Sequence, residues 1–186
     1  VLDACAHLEK QGAEVTYLPV QGNGMIDLDL LKSSIKDNTI LVSIMYGNNE
    51  LGVLQQVQEI GAVCKEHGVL FHSDATQAVG KIPVDVIKDN IDLMSFTAHK
   101  MYGPKGVGAL YVRRKNPRVK VTAQLDGGGH ERGMRSGTLN VPGIVGLGRA
   151  CEIAIAEMDK DAAHTSRSRD RLETELMKLE ESYLNG

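Results

Sequence analysis

The chain has 186 residues, 42% of them hydrophobic, with 24 acidic against 21 basic side chains and a formal net charge of -3. That is enough to enclose one core or slightly more, and the mild acidity gives no global attraction to nucleic acid or anionic lipid. No apolar run approaches the roughly 18 residues of a membrane helix and the first residues do not read as a signal peptide, so a soluble globular protein is expected.

Val1, Leu2, Cys5, Leu8 and Lys10 already follow a helical stripe with no capping residue before it, so the chain is expected to open inside a helix. Residues 14–20, 28–36, 40–45, 55–67, 69–73 and 91–97 then alternate between strand-like and helix-like patterns. Such alternation predicts an α/β fold with a mostly parallel central sheet and helices on both faces. Residues 40–45 are nearly all apolar, and 92–96 are similar, as expected of central strands covered on both sides. Residues 106–112 follow after a turn too short for a parallel crossover, so this strand is expected to run antiparallel. From Pro142 a glycine-tolerant stretch reads as a buried helix. It continues into a more charged segment, 158–181, and residues 183–186 read as a helix terminus leading onward.

Cys5, Cys64 and Cys151 are far apart, form no CxxC pair and fall in helical segments. Reduced, packed thiols in a reducing compartment are the expectation.

Three strand-like runs end in polar residues: Asn48 and Asn49, then Asp74 and Gln77, then Thr97, His99 and Lys100. In an open α/β sheet, ligands collect beyond the carboxyl ends of the strands. Parallel strands therefore bring a carboxylate, amides, an imidazole, a hydroxyl and an amine to one edge. This set suits an anionic, heteroaromatic, carbonyl-bearing cofactor. Lys100 can form a Schiff base with an aldehyde, and Asp74 can hold a protonated ring nitrogen. Thr97 and His99 can donate to phosphate oxygens, while Gln77 and Asn49 can orient a phenolic oxygen or a substrate carboxylate. Taken singly, Lys100 reads equally as a surface charge and Asp74 as a helix cap. His72, Asp74 and His99 are also metal-ligand types, but no HExxH pair or Cys/His cluster accompanies them, and the glycine-rich run 103–108 lacks the P-loop ending.

The segments Phe71-His72-Ser73-Asp74-Ala75-Thr76-Gln77 and Ser95-Phe96-Thr97-Ala98-His99-Lys100-Met101-Tyr102-Gly103-Pro104-Lys105-Gly106 resemble the pyridoxal-phosphate site of cysteine desulfurases, the class V branch of the aminotransferase-fold enzymes. The resemblance extends over essentially the whole chain, through Met45-Tyr46-Gly47-Asn48-Asn49-Glu50-Leu51-Gly52 and Gly127-Gly128-Gly129-His130-Glu131-Arg132-Gly133-Met134-Arg135-Ser136-Gly137-Thr138. It implies the large domain of a pyridoxal-phosphate-dependent transferase, similar to aspartate aminotransferase, over residues 1–160, with 161–186 leading toward a small domain.

By the same resemblance, Lys100 is the catalytic lysine, and Asn49, Asp74, Gln77, Thr97, His99 and Thr138 contact the cofactor, Thr138 across a homodimer. No metal is implied. The implied activity takes sulfur from L-cysteine, leaving L-alanine and an enzyme persulfide for iron-sulfur cluster assembly or tRNA thiolation, in bacterial cytoplasm or the mitochondrial matrix. The persulfide cysteine, the histidine that stacks on the cofactor ring and a phosphate-binding turn have no counterpart here, so the chain is expected to be an inactive fragment. The basic cluster Arg113, Arg114, Lys115, Arg118 and Lys120 is comparable to a surface on which sulfur-acceptor or scaffold proteins dock. Two other readings stand beside this one: another class V enzyme, such as a selenocysteine lyase or an aminotransferase, and a catalytically silent binding module.

Overall fold

In the computed structural model, which describes residues 1–185, helices surround a four-stranded sheet. Strands β1 (Leu41–Ser43), β2 (Leu70–Asp74), β3 (Leu93–Thr97) and β4 (Gly108–Val112) lie side by side in that order. β1 pairs with β2 and β2 with β3 in parallel, while β4 returns antiparallel to β3, as its short connection predicts. The helices are α1 (Leu2–Glu9), α2 (Leu28–Ser34), α3 (Val57–Glu66) and α4 (Val141–Leu176). Among the described residues no helix is long and apolar enough to cross a membrane.

Alternation along β2 decides which side is core. Phe71 and Ser73 are fully buried on one face, while Leu70, His72 and Asp74 are half-buried on the other. α3 lays the stripe Val57, Ile60, Val63 and Cys64 on the Phe71 side, in one cluster with Val42, Ile91 and Met94. The α2 N-terminus is satisfied by Asp27, whose Oδ1 accepts from the amides of Asp29 at 2.8 Å and Leu30 at 3.1 Å. Gln55, itself buried, clips the preceding loop to the core by accepting from Ile26 N at 3.0 Å and donating to Gly24 O at 2.8 Å.

The sheet is locked at the amino end of β3. Arg113 Nε lies 2.8 Å from Asp92 Oδ1, and both side chains are nearly inaccessible. Asp92 Oδ2 also accepts from Phe71 N at 3.0 Å, and Arg113 Nη2 donates to the carbonyls of Val86 at 2.9 Å and Ile91 at 2.8 Å. A buried ion pair is tolerable when its remaining valences are met in this way.

Three expectations are corrected. Residues 14–20 form no strand; only Val20 pairs, in an isolated bridge to Ile26, and Pro19 removes a backbone donor from the segment. The run 40–45 supplies a three-residue strand at the sheet edge rather than a central one. Val42 is buried in the core and Ile44 packs against it half-buried, while Ile40 is 80% exposed. Helix α4 is not buried as a whole. It is capped by Asn140, whose Oδ1 accepts from Gly143 N at 3.1 Å, and buries only Gly143 and Ala150. From Asp159 to Leu176 every residue except Glu173 is exposed, because the sequence there is charged on all sides. Gly186, the last residue of the expected terminus, lies outside the described residues.

Gly61 marks the closest approach of α3 to a neighbouring loop, since a Cβ there would fall 2.0 Å from the Asp89 carbonyl oxygen. Gly61→Ala is expected to lower stability by about 1–3 kcal/mol, read as a reduced urea midpoint at unchanged slope.

Candidate functional site

The carboxyl ends of β1, β2 and β3 are kept level by hydrogen bonds that continue past the strands. Tyr46 N donates to Asp74 O at 2.8 Å, and Ala75 N donates to Ser95 O at 2.9 Å. Six of the seven expected site residues therefore leave one edge of the sheet: Asn49 beyond β1, Asp74 and Gln77 at β2, and Thr97, His99 and Lys100 at β3. Thr138 is exposed, two residues before the α4 cap, and makes no hydrogen bond to the other six.

Asn48 and Asn49 divide their labour. The Asn48 side chain builds the turn, its Oδ1 accepting from Glu50 N and Leu51 N at 2.8 Å each, and Asn49 is left exposed. Asp74 is half-buried, and its Oδ1 accepts from Thr76 N at 3.0 Å. It thus serves the local turn with one oxygen and keeps Oδ2 for something else. The helix-cap reading of Asp74 is not met, because a turn and not a helix follows β2, while the ligand reading is compatible with this geometry.

Lys100 lies on a 3-10 turn, Ala98–Met101, anchored by the buried side chains of Ala98 and Met101 while Lys100 itself is exposed. The turn closes with Tyr102 in the left-handed region, φ +63°, and with Gly103 N bonded to Ala98 O at 2.9 Å. A Cβ on Gly103 would meet Ala98 Cβ at 2.9 Å and Ala150 Cβ at 3.1 Å, so its absence lets α4 rest against the turn. Thr97 Oγ1 donates to Val107 O at 3.1 Å and lies 2.9 Å from His99 Nδ1. A hydroxyl has one proton, so with both bonds made His99 donates from Nδ1 and Nε2 is its free nitrogen.

Two further contributions escaped the sequence reading. His72 bridges three strands: Nδ1 lies 2.8 Å from Ser43 Oγ on β1, and Nε2 lies 3.4 Å from Ser95 Oγ on β3. Burial lowers its pKa, outweighing the Asp74 carboxylate, which raises it. Lys81 Nζ donates to Gln77 Oε1 at 3.0 Å. Its pKa is lowered by burial and then by the positive charge of Lys100. The four-residue spacing of Gln77 and Lys81 was the available sequence signal. His72 offered none, since its partners lie on other strands. Tyr46 shows the same difficulty: its hydroxyl donates to buried Asp89 at 3.1 Å, and burial pushes the phenol up to about 12.

Away from this edge, at the far end of β4, a cleft of about 940 Å³ is lined by Arg114, Lys115, Arg118, Lys120 and Arg132, with Glu131 as its acidic residue.

A mostly parallel sheet whose one edge carries both a lysine turn and an aspartate defines a class of fold, and the whole chain, residues 1–186, matches the family described as Aminotransferase class-V. The chain belongs to that family. It is 59% identical over 187 residues to the cysteine desulfurase IscS of Rickettsia massiliae (strain Mtu5), covering 100% of this chain and 45% of that protein. A solved NifS-like protein superposes with a TM-score of 0.93 at 41% identity, over 100% of this chain and 51% of the other. SspA in complex with cysteine gives 0.78 at 45% identity, over 82% and 44%. The chain therefore spans about half the length of the relatives it matches.

The sign of the His72 shift sets a pH dependence. Its ring starts from an ordinary value of 6.5 and is lowered on folding, so below about pH 6.5 the unfolded chain binds a proton that the folded chain refuses. Stability contributed by the neutral ring is complete above that pH and is lost as pH falls toward the folded value. The thermal midpoint should drop between pH 7.5 and 5.5, and the drop should be shallower in His72→Gln.

Proposed function

We propose that this chain is the cofactor-binding portion of a pyridoxal-phosphate-dependent cysteine desulfurase, with residues 161–186 leading toward a further domain. The observation that carries this reading is the pairing of Lys100 and Asp74. Adjacent parallel strands deliver both to one edge, and Asp74 retains a free carboxylate oxygen. Other polar groups at this edge also fit the cofactor: free amide ends on Asn49 and Gln77, and the paired side chains of Thr97 and His99. The cysteine held by SspA and the name of the Rickettsia relative favour cysteine as substrate.

Bound at this edge, pyridoxal phosphate supplies an aldehyde for an amine and an electron-withdrawing ring that stabilises negative charge at a substrate Cα. Lys100 provides the amine from a turn whose neighbours are buried, so its backbone is fixed while its side chain is free to move. Asp74 would hold the ring nitrogen and keep it protonated, and its Oδ1 stays tied to Thr76 N, which sets the carboxylate plane. Thr97, whose proton goes to Val107 O, would orient the His99 ring rather than donate to the phosphate itself, and a bond from His99 Nε2 to a phosphate oxygen would need a proton on that nitrogen as well. Asn49 and Gln77 contribute amide groups for the phenolic oxygen or the substrate carboxylate. Thr138, standing apart, is the residue to reach a second copy of the chain in a homodimer.

The sulfur-accepting thiolate must be exposed and easily ionised. Cys64 is neither: it is buried, and burial followed by the Asp92 carboxylate pushes its thiol up to about 12. Cys5 and Cys151 are half-buried. We assign the acceptor thiol to sequence outside this chain, and an acidic sulfur-acceptor or scaffold protein to the basic cleft beside β4.

Two experiments test this reading. On the longer polypeptide, cofactor addition should give a visible absorbance band that Lys100→Ala abolishes and Asp74→Ala weakens by about tenfold or more in cofactor affinity; a band that survives Lys100→Ala rejects the assignment. In the native chain at pH 8, iodoacetamide should label Cys5 and Cys151 while sparing Cys64, as read by peptide mass spectrometry, with all three labelled after unfolding.

A further inference from the structure

Gln77 has two chemically opposite ends: an oxygen that only accepts and a nitrogen that only donates. Which end faces a ligand is decided by whatever holds the other. Here the holder is Lys81, whose Nζ lies 3.0 Å from Gln77 Oε1. An ammonium carries three donors and no acceptor, so it can engage the oxygen alone. The Gln77 amide nitrogen is left without a hydrogen-bond partner among the described residues.

The backbone fixes this arrangement. Val79 N bonds to Ala75 O at 2.9 Å and Lys81 N bonds to Ala78 O at 3.0 Å, which winds the segment so that Lys81 comes back beside Gln77. Gly80 takes φ +80°, and a Cβ there would lie 2.8 Å from Met101 Cβ. The segment is thus pressed against the turn that carries Lys100, and the charge of Lys100 is near enough to act on Lys81.

We propose that Lys81 is a positioning residue that sets the direction of the Gln77 amide, so that its nitrogen presents a donor to the phenolic oxygen of bound pyridoxal phosphate. This rests on the reading that the cofactor occupies the Asp74–Lys100 edge. A donor at the phenolic oxygen shares its negative charge and weakens that oxygen's hold on the proton of the lysine linkage. With Lys81 gone, the amide is free to turn over, and an acceptor then faces an acceptor.

The readout is the pH midpoint of the visible band of the lysine-bound cofactor in the longer polypeptide, which is independent of turnover. Lys81→Met should raise the midpoint by about 0.5–1 unit, and Lys81→Arg, which still donates to the oxygen, should restore it to within about 0.3 unit. In a Gln77→Ala background, Lys81→Met should shift the midpoint no further, because the effect runs through the amide. An unchanged midpoint in Lys81→Met overturns the proposal. So does a shift of equal size with and without Gln77, which would mean that the lysine acts by its charge alone. Lys81→Leu, which likewise carries no donor, serves as a second neutral variant if the methionine form does not fold. Absence of any visible band in the unsubstituted protein would instead reject the underlying cofactor reading.

Discussion

The candidate site depends first on strand register. Ser43 pairs with His72, His72 with Leu93 and Asp74 with Ser95, and the same alignment continues beyond the strands through the amides of Tyr46 and Ala75. Side chains alternate across a sheet, so a slip of one residue in β2 would exchange Asp74 with Ser73 and send the carboxylate into the core beside Phe71. Two features oppose such a slip. The buried Asp92–Arg113 pair fastens β2, β3 and β4 at one end, and the His72 ring, between serines of the flanking strands, fastens the middle. The ion pair lies at the opposite end of the sheet and the His72 bridge one step behind Asp74, so neither uses the residues at the reactive edge itself.

That freedom is incomplete, and the compromise is informative. Asp74 gives one oxygen to its own turn, Gln77 gives its oxygen to Lys81, and Thr97 gives its proton to a backbone carbonyl. Each polar group is aimed by one bond and retains another valence. A side chain held at one end loses less rotational freedom when a ligand takes the other, which is the sense in which an edge made of short loops can be preorganised. Lys100 is the exception, since its turn is anchored by buried neighbours and its amine has no hydrogen-bond partner among the described residues.

Much of this was legible in the residue pattern. The alternation of elements gave the sheet class, the short link after Lys100 gave the reversed strand, and polar residues at three strand ends gave the edge on which six candidates meet. What failed did so where burial depends on neighbours that a single segment cannot reveal. Residues 40–45 are apolar enough for a central strand, yet they stand at an edge with Ile40 in solvent. Residues 142–154 are rich in small residues because α4 must lie close to the lysine turn, not because it is enclosed. The Ser43–His72–Ser95 bridge joins residues 29 and 23 positions apart, and only the register makes them neighbours.

Helix α4 unites a fixed base with a long unsupported shaft. Its first turns touch the loop after Lys100 through Ala150, while its 36 residues extend about 54 Å at 1.5 Å per residue. Measured from Asp159, roughly 26 Å of that shaft is exposed, so a tilt of about 5° there displaces the tip by roughly 2 Å. The helix thereby has the geometry of a lever: a small change of angle beside the reactive amine would be magnified along its length before it reached residues 177–185.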